Sequence, residues 1–87
     1  MKKNLLQQSI VYLEADRNYT VIYYHDSHKD MFSLTLKRFA ELLADDTAFV
    51  RIHRSYLVNR QYIAEVTPDN VVMRSGVVLP LARRRRV

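Results

Sequence analysis

The chain contains no cysteine. Disulfides and thiolate metal sites are thereby excluded, and the core has to rest on packing alone, which suits a reducing compartment. Glycine occurs once, as Gly76. No glycine-rich loop can therefore wrap a phosphate group, and no nucleophile motif is present to suggest an enzyme. No apolar run approaches the roughly 20 residues that a bilayer-crossing helix needs. Met1-Lys2-Lys3 leads into the mixed stretch Asn4-Leu5-Leu6-Gln7-Gln8, where a secretion signal would place an apolar run. These absences point to a cytoplasmic protein that avoids membranes and needs no cofactor.

What is present fits one folded unit. At 87 residues the chain can bury one modest core, so residues 1–87 are expected to form a single domain. Hydrophobic residues make up 48%, with six Tyr and three Phe, too apolar for a disordered segment. The net charge is +5. Its distribution says more than its total. Residues 1–46 hold six Lys and Arg against seven Asp and Glu, whereas residues 47–87 hold eight Arg against two acids, a net +6. Every cation in the second half is Arg, the side chain whose planar fork suits phosphates and guanine edges. A basic cluster of this kind is the electrostatic footprint of a nucleic-acid binder.

One segment, about residues 35–44, reads as a helix. Thr35 can cap it, Leu36, Phe39, Ala40 and Leu43 share one face, and Asp45-Asp46 can end it. Short β-branched and aromatic runs at 10–14, 19–24, 31–34, 49–52, 56–58, 63–67, 71–74 and 77–81 read as strands. Pro68-Asp69-Asn70 marks a turn, and Ser75-Gly76 a tight hairpin whose glycine is free to take a positive φ. The fold class is therefore mostly β: an elongated antiparallel domain with one short helix. A helix-turn-helix needs successive helices and is excluded. If DNA is bound, loops or strands bind it.

The most informative string is Phe49-Val50-Arg51-Ile52-His53-Arg54-Ser55-Tyr56-Leu57-Val58-Asn59. Three polar residues, His53, Arg54 and Ser55, interrupt apolar strand positions and form a short loop. Arg54 can fork onto a guanine, His53 and Ser55 can hold phosphates, and Asn59 can support the loop through backbone groups. An ordinary polar hairpin looks the same by chemistry alone.

The string resembles the signature of the LytTR family, a Phe-x-Arg-x-His-Arg-Ser-Tyr-Leu-Val-Asn pattern with a following isoleucine, here Ile63. Tyr12-Leu13-Glu14-Ala15 with Asn18-Tyr19, residues 34–43, and Leu79-Pro80-Leu81-Ala82-Arg83-Arg84 resemble other family features in the right order. The likeness runs from about Ile10 to the end of the sequence. It implies an output domain of bacterial transcription factors, often joined to a receiver domain in a two-component system, that inserts loops into successive major grooves of paired direct repeats. Mapped onto this sequence, the contact segments are Arg17, Asn18 and Tyr19 with neighbouring Thr20; His53, Arg54 and Ser55; and Arg83 and Arg84. Arg54 and Arg84 are the foremost base contacts. Two departures stand out. Ala82 replaces the serine usual before the last arginines, and residues 1–9 leave room for one short strand where the family carries more, so the domain reads as truncated or as a compact variant. Arg85 and Arg86, last before Val87, are expected to offer only mobile charge. The input would then come from a receiver domain or sensor partner outside this sequence.

Two other readings use the same residues. His25, His28 and His53 suggest a metal or acid–base site, but His25-Asp26-Ser27-His28 reads as a hairpin loop with solvated histidines. Tyr12, Tyr23 and Tyr24 are candidates for the stacking platform of an RNA-binding or protein-interaction β module, although aromatics on short strands usually pair across strands.

Overall fold

The computed structural model describes residues 5–87. The short strand allowed for within residues 1–9 is not what its described part forms: Leu5–Gln8 is a single helical turn, α1. Leu and Gln are good helix formers, and one turn is too short to show periodicity in a sequence. Residues 1–4 of that stretch lie outside the described part.

Eight strands follow: β1 Ile10–Asp16, β2 Tyr19–Tyr24, β3 Lys29–Phe32, β4 Phe49–His53, β5 Tyr56–Asn59, β6 Ile63–Val66, β7 Asn70–Met73 and β8 Val78–Pro80, with helix α2, Leu36–Leu42, between β3 and β4. They form two antiparallel sheets, ordered β3-β2-β1-β5-β4 and β6-β7-β8. The mostly antiparallel β fold expected from the alternation is thus present. A 3-10 turn, Arg60–Tyr62, divides the sheets.

Helix α2 starts where Thr35 takes extended backbone angles, its hydroxyl oxygen accepting the Arg38 N–H at 3.2 Å. Strand alternation puts Leu13, Ile22 and Leu57 on the face under α2, where Leu36, Phe39, Ala40 and Leu43 meet them. The opposite face presents Tyr12, Ile52 and Val58 to Val71, Met73 and Leu79 of the smaller sheet. A register shift between Ile10 and Tyr12 lets consecutive Val11 and Tyr12 both join this second cluster. The five-stranded sheet is therefore the middle layer, covered on both faces.

Two local expectations change. The third strand begins at Lys29 and not at 31, because β3 is an edge strand exposed along its length and carries no apolar alternation. The β7–β8 loop is three residues, Arg74-Ser75-Gly76: the Gly76 N–H donates to the Met73 carbonyl at 2.9 Å and the Met73 N–H to the Val77 carbonyl at 2.8 Å. Gly76 takes a φ of 96° as its third member, the conformation such loops demand at that point.

Candidate nucleic-acid interface

Strand pairing decides which loops meet. Because β1 and β5 run antiparallel with Glu14 opposite Tyr56, the end of β1 lies beside the start of β5. The β1–β2 and β4–β5 turns consequently project from the same end of the sheet. The Ala15 N–H donates to the Ser55 carbonyl at 2.9 Å and ties them together. The Ala82 N–H donates to the Ile52 carbonyl at 2.8 Å and brings the segment after β8 to the same end. Three segments distant in sequence thus form one surface.

In the first, Asp16 pairs with Tyr19 across a two-residue turn of Arg17 and Asn18. Arg17 holds a φ of 58°, a left-handed conformation that costs a residue with a Cβ roughly 1 kcal/mol. Arg17, Asn18 and Tyr19 are exposed. Thr20 is not: it is 0% exposed, and its hydroxyl donates to the Leu34 carbonyl at 2.7 Å. It belongs to the buried set Thr20, Ile22 and Tyr24 on alternate positions of β2 and cannot reach a partner, which removes it from the contact residues.

In the second, Arg54 is exposed and His53 and Ser55 are half-buried. The His53 Nδ1 accepts the Ser55 N–H at 3.0 Å, which closes the turn and leaves Nε2 as the nitrogen outside that bond. Arg51, to which the sequence reading gave no role, reaches over this turn. Its Nε donates to the His53 carbonyl at 3.0 Å and its Nη2 to the Arg54 carbonyl at 2.6 Å. Burial, and then the charge of nearby Arg85, lower its pKa. The one signal for Arg51 was its place in the Phe-x-Arg-x-His pattern.

Asn59 bonds to backbone groups as anticipated, but elsewhere. Its Oδ1 accepts the Gln61 N–H at 3.0 Å and its Nδ2 donates to the Ile10 carbonyl at 2.9 Å. It sits at the far end of β5 from the His53–Ser55 turn, so it supports the junction between the two sheets and not that turn.

In the third segment, Arg83 and Arg84 are the central residues of a turn closed by the Arg85 N–H donating to the Ala82 carbonyl at 3.0 Å. Arg85 is therefore held through its main chain, not loose as expected.

Among the described residues, the ion pairs are those of His28 with Asp26 and Asp30 and of Arg38 with Glu41. Among the described residues, none of these pairs neutralises an arginine at this end. The nearby carboxylate of Glu14 is occupied, accepting the Tyr23 hydroxyl at 2.9 Å and the Tyr56 hydroxyl at 3.1 Å. The tyrosines proposed as a stacking platform are turned inward: Tyr12 and Tyr24 are buried, and Tyr12 stacks on Tyr23 at 4.4 Å. His25 and His28 lie at the opposite end of β2. His28 stacks on Tyr24 at 4.2 Å and bonds to Asp26; among the described residues no group of three or more His, Asp or Glu is placed to hold a metal. No helix of the described residues is long and apolar enough to cross a membrane.

The model of the LytTr DNA-binding domain matches residues 3–87. A solved LytTr DNA-binding domain from Bacillus cereus superposes with a TM-score of 0.79 at 28% identity, covering 90% of this chain and 74% of that one. The sensory transduction protein LytT of Bacillus subtilis is 40% identical over 43 residues, which span 44% of this chain and 18% of that protein.

Proposed function

This chain belongs to the LytTR family of DNA-binding domains, and we propose that it binds duplex DNA sequence-specifically, through loops entering the major groove, in bacterial transcriptional regulation. The observation that carries the reading is the convergence of Arg17, Arg54, Arg83 and Arg84 at one end of the sheet with, among the described residues, no carboxylate paired to any of them. Arginines left unpaired in the free protein are available to phosphates and base edges. Helix α2 packs on a sheet face, so hairpin tips are the reading elements.

In this reading Arg54 and Arg84 contact base edges, and Arg17, Asn18 and Tyr19 form a flanking contact. His53, through Nε2, together with Ser55 and Arg83, holds phosphates. Main-chain N–H donation by Ala82 to Ile52 keeps the last arginines in place without the serine usual there. Paired direct repeats as the site, a receiver or sensor partner as the input, a cytoplasmic location and one domain over residues 1–87 are parts of the same proposal.

The test uses a preferred duplex selected from a random pool. Affinity should fall steeply between low and moderate salt, as several phosphate contacts require. Arg54→Ala should cost about 1–3 kcal/mol on the preferred duplex and much less on random DNA. Binding that ignores salt would end the reading, and equal losses on both duplexes would make Arg54 a phosphate contact.

A further inference from the structure

We propose that Arg51 is the positioning residue of the recognition turn, its guanidinium gripping the main chain of His53 and Arg54 so that the Arg54 side chain is presented in one orientation. The inference rests on the DNA-binding reading above and assigns within it a residue that touches no base.

The β4–β5 ladder is interrupted by a register shift between Arg51 and His53, so the strand leaves regular pairing just before the turn. An interruption of this kind re-aims the residues after it and leaves main-chain groups without ladder partners. The carbonyls that follow the shift are those of His53, in the last pair of the ladder, and of Arg54, in the turn itself. Both are taken by Arg51, at 3.0 Å through Nε and 2.6 Å through Nη2. A planar fork holds two such carbonyls with donors in fixed directions, whereas an ammonium group offers three rotatable donors on a flexible stem. The remaining restraints hold the other side of the turn: His53 Nδ1 on the Ser55 N–H, and the Ser55 carbonyl on Ala15. Arg54 therefore sits between two clamps, with its own side chain exposed.

Charge gives the clamp a second consequence. Carbonyl oxygens facing a phosphate-lined groove would repel it, and the guanidinium cancels that repulsion at the point of approach. Arg51 is half-buried and adjoins Ile52, whose carbonyl anchors the Ala82 N–H. It thus stands where the second and third contact segments join, and disordering it would loosen both.

Arg51→Lys keeps the charge and loses the fork, so it separates positioning from simple attraction. In the DNA-free protein, exchange of the Ser55 amide should quicken in Arg51→Lys while β1 and β2 amides keep their wild-type rates. Unchanged Ser55 exchange overturns the proposal whatever the DNA results. With DNA, Arg51→Lys should bind random duplexes like wild type and lose about tenfold in discrimination for the preferred duplex. The loss should be absent when Arg54 is already Ala, because a residue acting through another is not additive with it. Full discrimination in Arg51→Lys, or additive losses in the double variant, overturns the positioning role. A wild-type protein without discrimination would instead overturn the DNA-reading proposal, leaving the exchange measurement to decide on Arg51.

Discussion

The main-chain N–H of Ala15 donates to the carbonyl of Ser55 at 2.9 Å, fastening the tip of one hairpin to the tip of another forty residues away in sequence. Beyond the last regular pair, Glu14 with Tyr56, this bond extends the β1–β5 contact into the turns themselves. Reading two neighbouring positions on a duplex requires a fixed distance between the reading groups, since each misplaced hydrogen bond loses its discrimination. A sheet supplies that distance at no further entropic cost once it has folded. In the proposed reading the side chains then need only local ordering, which the His53 and Arg51 bonds to the turn would supply.

Thr20 tests where the contact surface stops. Thr20→Val preserves shape but leaves the Leu34 carbonyl without its donor. Stability should drop by about 1–2 kcal/mol in denaturant unfolding, with DNA affinity unchanged at temperatures where the variant is folded. Weakened DNA binding without loss of stability would return Thr20 to the surface.

How far the fold could be read from sequence varies with how far side-chain chemistry depends on partners nearby. Strands β1, β2, β5 and β7 carry apolar residues into two covered faces and announce themselves. Lys29 and Asp30 of β3 do not, because an exposed edge has no buried pattern to display. Thr20 looked like a surface residue by type, although its alternation with Ile22 and Tyr24 already placed it inside. Arg51 was visible as a residue and invisible as a role, and Asn59 was legible as a backbone-bonding residue but not in its place: what each holds lies on main-chain atoms whose positions only the register shifts and the sheet division set. The grouping of Arg17 with Arg54 follows from the β1–β5 pairing and that of Arg84 from the Ala82–Ile52 bond, long-range facts that local sequence does not contain.

Alkaline pH should unfold the domain through its tyrosines. Tyr12, Tyr23 and Tyr56 are raised from the ordinary 10.0, first by burial and then by Glu14; Tyr24 is raised by burial and then by Asp30. A neutral phenol favoured by folding contributes stability that is fully present below pH 10.0 and is lost as pH climbs towards the folded values. Phenolate absorbance should therefore lag in the native protein and rise together with loss of β circular dichroism. Glu14→Gln should bring part of that rise to lower pH, because the charge is gone and the burial remains. Phenolate formation that completes while the fold persists would contradict this.

Arg17 combines strain with exposure. Arg17→Gly removes the side chain and the left-handed penalty, whereas Arg17→Ala removes the side chain and keeps the penalty. The glycine variant should be the more stable of the two by up to about 1 kcal/mol in denaturant unfolding, and both should weaken DNA binding equally. Equal stability would show that the turn relaxes at no cost. Wild-type DNA affinity in both would show that Arg17 stays off the duplex.

The four arginines at 83–86 differ in how they are held, and their binding effects should differ accordingly. Arg83 and Arg84 lie inside the turn closed by Ala82 and Arg85, itself anchored on Ile52. A guanidinium on such a frame can meet a base edge with both donors, so Arg84→Ala should lower the ratio of preferred to random affinity by about 1–3 kcal/mol. Arg85 has a fixed main chain, and its charge adds to burial in lowering the Arg51 pKa. Like charges near one another favour an anion beside them. Arg85→Ala should therefore weaken both kinds of duplex alike and flatten the salt dependence by about one phosphate equivalent. Arg86 lies outside that turn, so Arg86→Ala should act in the same way at smaller amplitude. Titrating the three single variants against both duplexes at several salt concentrations separates these effects. If Arg84→Ala leaves the ratio intact and flattens the slope as Arg85→Ala does, the segment is one electrostatic tail, and the turn that orders it has no part in reading sequence.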